Sequence, residues 1–169
     1  MKPDRIRELL SLGEGQRLEL KSSVRNVDAL GAVICGFLNT SGGYLICGIR
    51  EPGMIVGLAV SPEDVASLER EIHAGLSPKA LVSFQLEVLE GKPVLIIEVP
   101  AGKDVPFAFR DVIYLRVGDA NRRADAAAIR DIVMRRQVEP ERWERRFSFA
   151  DIEADVDLTE VQGAVTDAQ

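Results

Sequence analysis

The stretch Phe37–Ile49, FLNTSGGYLICGI, decides how this chain is read. An apolar run stops at Asn39-Thr40-Ser41-Gly42-Gly43 and restarts at once as YLICGI. Upstream, Leu30, Val33, Ile34, Phe37 and Leu38 recur at helical spacing, with Asp28 near the start, which predicts a helix running into the asparagine. Gly42 or Gly43 can then take the left-handed conformation that closes the last turn. The restart is apolar on both faces, as a central, covered strand must be. The paired glycines also leave backbone N–H groups uncovered by side chains. Ser41, Gly42 and Gly43 are therefore a candidate anion-binding turn, although the chain has no GxxxxGK[ST] phosphate loop.

Working outward, RLELK before the helix alternates Leu18 and Leu20 with Arg17, Glu19 and Lys21, the pattern of a short strand. After the central strand, EPG predicts a hairpin into MIVGL. Ser61-Pro62-Glu63-Asp64 is a helix start, with Ser61 as N-cap and Asp64 completing a capping box. That helix should bury Val65, Leu68, Ile72 and Leu76. Two strands joined at Glu90-Gly91-Lys92 follow, the first presenting Val82, Phe84, Leu86 and Val88 to a core. VIYLRVG is a further strand, and Asp125 caps a last helix carrying Ile129, Ile132 and Val133. The expected fold class is α+β, a mixed β-sheet packed with helices.

Composition narrows the function classes. The chain has 169 residues, 46% hydrophobic and 28% charged, ordinary for a globular protein with a real core. No apolar run is long enough to span a bilayer, and MKPDRIRELL lacks the apolar core of a signal peptide. Cys35 and Cys47 sit inside apolar patterns and read as reduced core thiols, so a cytoplasmic location is expected. The net charge of −6 misleads if taken whole, because residues 139–169 hold nine acidic and three basic residues, the entire imbalance. A neutral body can still carry a basic stripe, and between Ala101 and Val138 eight basic residues face five acidic ones. The expected division is a domain over 1–138 and an acidic extension over 139–169. Trp143, Phe147 and Phe149 in the extension need another surface to pack on.

The order of the pieces carries more than any one of them. GEGQRLELKSS, NTSGGYLICGI, VLIIEVP and YLRVGDANRRAD follow one another in the sequence. This succession resembles the Schlafen AlbA-type domain, also described as a divergent AAA-like DNA-binding domain, over about residues 10 to 137. The resemblance implies an α+β fold and nucleic-acid binding, with DNA or RNA left open. It implies a setting in bacterial transcriptional regulators or defence-type ATPases, whose ATP-binding module or winged helix follows this domain. The tail resembles a linker into such a module, so the chain is expected to be a fragment, with ATP bound, if at all, in the missing module.

Three readings of the site residues stay open. Glu14, Glu19 and Lys21 form E-x4-E-x-K, the oxygen ligands and the cation that a Mg²⁺-dependent nuclease would need. Nuclease-active Schlafen relatives carry a third carboxylate in the N-T-D-G-G turn, where this chain has Ser41, and the alternative to catalysis is an exposed Glu–Lys pair of small energetic weight. Arg116, Arg122 and Arg123, with Lys21, could fork onto phosphates without reading bases. The third reading is a dimerisation or protein-interaction module, associating through an exposed sheet edge or the 139–169 extension. His73, the sole histidine, has no partner in sequence for catalysis and reads as structural. The leading expectation is a non-catalytic nucleic-acid-binding domain that forms a homo-oligomer and has no resident metal.

Overall fold

A computed structural model describes residues 3–135. The extension over 139–169, with Trp143, Phe147 and Phe149, lies outside the described residues. Helix α1 (Pro3–Leu12) leads into strand β1 (Leu18–Lys21), helix α2 (Val27–Leu38) and strand β2 (Gly43–Cys47). A hairpin of β3 (Ile49–Arg50) and β4 (Met54–Ile55) precedes α3 (Pro62–Gly75) and β5 (Leu76–Ser77). The long hairpin of β6 (Ser83–Leu89) and β7 (Lys92–Val99) is followed by β8 (Ala108–Phe109), β9 (Tyr114–Val117) and β10 (Ala120–Arg123). A final helix begins at residue 126. The fold is α+β with a mixed sheet, as its sequence implied.

The main sheet has the order β1-β2-β7-β6, parallel between β1 and β2 and antiparallel elsewhere. β2 is central, and its Leu45, Ile46 and Cys47 are fully buried because both faces are covered. On one face Leu45, Cys47, Leu95 and Ile97 pack with α2 and with Leu68 and Ile72 of α3. On the other, Ile46, Val94 and Ile96 pack with Ile6 of α1 and Ile49 of β3. Among the described residues no helix is long and apolar enough to cross a membrane.

The local features expected at Ser61 and at Glu90-Gly91 are present in the structure. Ser61 and Asp64 form both bonds of the capping box at the start of α3. Glu90 and Gly91 both have positive φ, 50° and 75°, the turn that matches the twist of a two-residue hairpin. Asp28 stands in the first turn of α2, near the start as expected, and one strand expectation needs correction. α2 is capped by Asn26, whose Oδ1 accepts from the Ala29 amide at 3.0 Å, while Asp28 turns outward to pair with Arg110. Val88, expected against the core, is 65% exposed at the end of β6, and Leu89 on the opposite face is buried instead.

The NTSGG turn is built by close packing. Gly42 has φ +67°, and a Cβ there would meet the Ala101 amide nitrogen at 2.6 Å and the Val99 carbonyl oxygen at 2.7 Å. A Cβ on Gly43 would meet the Arg17 carbonyl oxygen at 2.6 Å. The turn is thus wedged between the start of β1 and the end of β7, where only hydrogen fits. Its N–H groups are directed inward, those of Thr40 and Gly42 both to the Phe37 carbonyl at 3.1 and 3.0 Å. The anion-cradle expectation for Ser41, Gly42 and Gly43 is corrected accordingly: Ser41 is exposed, but both glycines are buried.

Asn39, the first residue of the turn, is the second device. It is 9% exposed, donates through Nδ2 to the carbonyls of Phe107 at 2.8 Å and Tyr114 at 2.9 Å, and accepts the Phe107 amide at 2.7 Å. One buried amide therefore fastens the 107–114 segment across the end of α2. Nearby, the Phe109 ring sits between Gly31 of α2 and Gly75 of α3, where a Cβ on either would come within 2.5 Å of the ring. Replacing Gly42 by valine should destabilise the domain by about 1 kcal/mol or more, since strain at positive φ adds to a backbone collision. Asn39→Ala should cost about 1–3 kcal/mol by orphaning buried backbone groups. Urea unfolding checks both, and a Gly42→Val midpoint equal to wild type would contradict the wedge.

Candidate nucleic-acid interface

The E-x4-E-x-K segment and the β9–β10 ribbon, about a hundred residues apart in sequence, meet across the start of β1. Their junction is Arg116 on β9. Its side chain is fully buried, with Nη1 2.6 Å from Glu19 Oε2. Nε and Nη2 donate to the Gly15 carbonyl at 3.1 and 2.7 Å, and Nη2 also reaches the Leu18 carbonyl at 3.1 Å. The guanidinium carbon lies 5.2 Å from the centroid of the Phe37 ring, so a cation–π contact covers one face. Arg116 Nη1 and Glu19 Oε2 have no hydrogen-bond partner beyond this ion pair, and each group depends on the other for its burial.

Glu19 is 6% exposed, and its second oxygen, Oε1, pairs with Lys21 Nζ. Strand alternation places Glu19 and Lys21 on one face, and the turn before β1 swings Glu14 back towards them. Glu14 Oε1 accepts the Leu20 amide at 2.8 Å. Its pKa is raised above the usual carboxylate value, first by desolvation, against the lowering by the Leu20 amide, with the Glu19 and Glu51 carboxylates adding to the rise. Glu51, in the β3–β4 hairpin, is a neighbour the sequence reading missed, since nothing local ties EPG to the E-x4-E segment. The structure places Glu14 near Glu19 and pairs Glu19 with Lys21. Glu19 is not the exposed half of a surface pair, however: both its oxygens face cations. Among the described residues no group of three His, Cys, Asp or Glu side chains is arranged to hold a metal ion.

The ribbon is fixed a second time by Gln16. Its Nε2 donates to the Arg116 carbonyl at 3.0 Å and its Oε1 accepts the Gly118 amide at 2.8 Å. Gly118, with φ +62°, makes the two-residue turn at the tip. Gly36 of α2 gives the ribbon room, since a Cβ there would lie 2.6 Å from Asn121 Oδ1. Arg122 and Arg123 on β10 are exposed, and alternation sends them to opposite faces of the ribbon, Arg123 on the side of Asn121. The sequence grouping of Arg116, Arg122 and Arg123 is thus divided. Arg116 is corrected from a phosphate contact to an internal anchor, because a guanidinium with no exposed surface cannot reach a ligand. The side chains of Arg122 and Arg123 remain at the surface, with no ion pair or side-chain hydrogen bond among the described residues.

A family model described as Schlafen, AlbA_2 matches residues 14–125, the span that holds every element from Glu14 to the ribbon. The chain belongs to the Schlafen AlbA_2 family. Two solved structures share the fold of this AlbA_2 domain. The DIP2311 protein from Corynebacterium diphtheriae aligns at a TM-score of 0.57 and 22% identity, over 72% of this chain and 29% of that one. The N-terminal domain of an ATP-dependent DNA helicase RecG-related protein from Nitrosomonas europaea aligns at 0.53 and 24% identity, over 75% of this chain and 92% of that domain. The AlbA_2 chain thus spans under a third of the length of the Corynebacterium protein. No curated protein sequence matches it.

Arg116→Ala should destabilise the domain by about 3–5 kcal/mol, since it strands a buried carboxylate and frees two carbonyls. Glu14→Gln should act the other way. A carboxyl whose folded pKa is raised costs stability when ionised, so the variant should melt higher than wild type at pH 7, and the gap should close as pH falls and Glu14 protonates. Thermal melts across that range check the sign.

Proposed function

We propose that this AlbA_2 domain binds nucleic acid through the phosphate backbone and does no chemistry on it. The observation that carries the reading is the anchored ribbon, which holds Arg122 and Arg123 in solvent without charge partners among the described residues. A guanidinium on a rigid strand loses little freedom when it forks onto a phosphate. Lys21, 36% exposed, is paired with Glu19 and adds a second, partly neutralised cation to this reading. The family assignment supports a nucleic-acid role, and so does the helicase-related name of the Nitrosomonas fold neighbour. The setting that fits this reading is a bacterial regulator or ATP-binding protein in which the domain supplies the nucleic-acid contact.

The nuclease reading is weakened by charge at Glu19. A carboxylate with both oxygens held by Arg116 and Lys21 is a poor donor to Mg²⁺, and Ser41 offers a neutral hydroxyl. Purified protein with Mg²⁺ or Mn²⁺ should leave tRNA, single-stranded RNA and DNA intact. Cleavage that disappears in Glu19→Ala would overturn this.

Binding should be weak and steeply salt-dependent, because each neutralised phosphate releases counterions. Fluorescence anisotropy with labelled DNA and RNA is the test. Arg122→Ala/Arg123→Ala should lower affinity for every sequence alike and flatten the slope of log K against log salt by about one unit per lost phosphate contact. An isotherm unchanged by salt, or by the double substitution, would refute the proposal.

A further inference from the structure

Resting on the reading above that Arg122 and Arg123 contact the phosphate backbone, we infer that Gln16 is a positioning residue for that contact. Its side-chain amide holds the β9–β10 ribbon in the binding orientation and touches no phosphate itself. β9 has β10 on one edge, with Val117 opposite Ala120 and Leu115 opposite Arg122. Among the described strands none lies on its other edge, and two side-chain amides stand in for one. Asn39 Nδ2 donates to the Tyr114 carbonyl at 2.9 Å. Gln16 Nε2 donates to the Arg116 carbonyl at 3.0 Å, and its Oε1 accepts the Gly118 amide at 2.8 Å. A carbonyl and the amide two residues further on project from the same side of a strand. One carboxamide therefore fills the place of one peptide of a neighbouring strand.

The ribbon needs that support. β9 and β10 have four residues each, and a two-stranded hairpin of this size is marginal by itself. Arg116 fixes the middle of β9 and Asn39 its start, but both grips act on β9. β10, which carries Arg122 and Arg123, is tied at its far end, where the Ala124 amide donates to the Ile113 carbonyl at 2.8 Å. Its near end is delivered by the Gly118 turn, and Gln16 grips that turn. The strand with both exposed arginines is thus suspended between two fixed points, and Gln16 supplies one of them.

Gln16 is neutral and both its polar atoms are bonded to the ribbon, so its contribution to binding is orientation. Released at the turn, the ribbon samples other orientations, and only the fraction still held presents Arg122 and Arg123 as before. Apparent affinity falls with that fraction. The number of phosphates neutralised does not change, so the dependence on salt keeps its slope. A residue that touched phosphate would alter both.

Gln16→Met keeps the length of the side chain and removes both bonds. In the full chain, hydrogen exchange should speed up at the Gly118 amide and along the ribbon, with the amides of β2 and β7 unchanged. Fluorescence anisotropy with labelled DNA and RNA, well below the melting temperature, should show affinity lowered about three- to tenfold. The slope of log K against log salt should stay that of wild type, whereas Arg122→Ala/Arg123→Ala flattens it. Titration to saturation should give wild-type stoichiometry, which a partly unfolded chain would not. Wild-type affinity in Gln16→Met, a Gly118 amide that stays protected, or a flattened slope overturns the inference and leaves the phosphate-binding reading standing. If wild type binds neither DNA nor RNA, or the double-arginine variant binds as wild type does, that reading falls and this inference falls with it.

Discussion

A guanidinium buried without a counter-charge would cost more than a small domain can supply, so Arg116 and Glu19 can be interior only as a pair. The pair sets the geometry around it. Arg116 lies on β9 and Glu19 on β1, so their contact closes the chain between its first strand and its last ribbon. The Gly15 and Leu18 carbonyls take the remaining donors, and the Phe37 ring covers the cation from α2. Such a network gives orientation more than net stability, because desolvation of both ions offsets much of their attraction. Its consequence is a ribbon held at one angle to the sheet.

Around that anchor the structure has a division of labour. Asn39 and the two glycines of the turn supply close approach and backbone satisfaction, with no exposed group left over for a ligand. Glu14, Glu19, Lys21 and Arg116 form an electrostatic knot in which positive and negative charges are matched. Arg122 and Arg123 are left with charge unspent. The glycine turn, by contrast, is spent on packing.

The Schlafen AlbA_2 motifs can now be given physical meanings. The N of NTSGG is a clamp, its GG a wedge, the second E of E-x4-E the buried half of an ion pair, and the R of YLRVG its other half. The arginines after the ribbon turn stand at the surface, outside that internal network. A motif of this kind preserves the scaffold first, and function enters through the few positions that the scaffold leaves at the surface.

The sequence by itself determined the α+β class, the helix that ends at Asn39, the covered central strand, the capping box at Ser61 and the Glu90-Gly91 hairpin. Each of these follows from forces acting within a few residues: hydrophobic period, a side chain bonding its own backbone, or a φ that glycine tolerates. Tertiary structure alone decided that Arg116 is interior while Arg122 and Arg123 are not, that Glu51 approaches Glu14, and that Val88 faces water. These outcomes depend on which segments meet across a hundred residues, and a one-residue step along a strand reverses the side of the sheet on which a charge stands. Spacing could show that an arginine recurs near a turn. Only the packed chain could show that Glu19 was waiting for it.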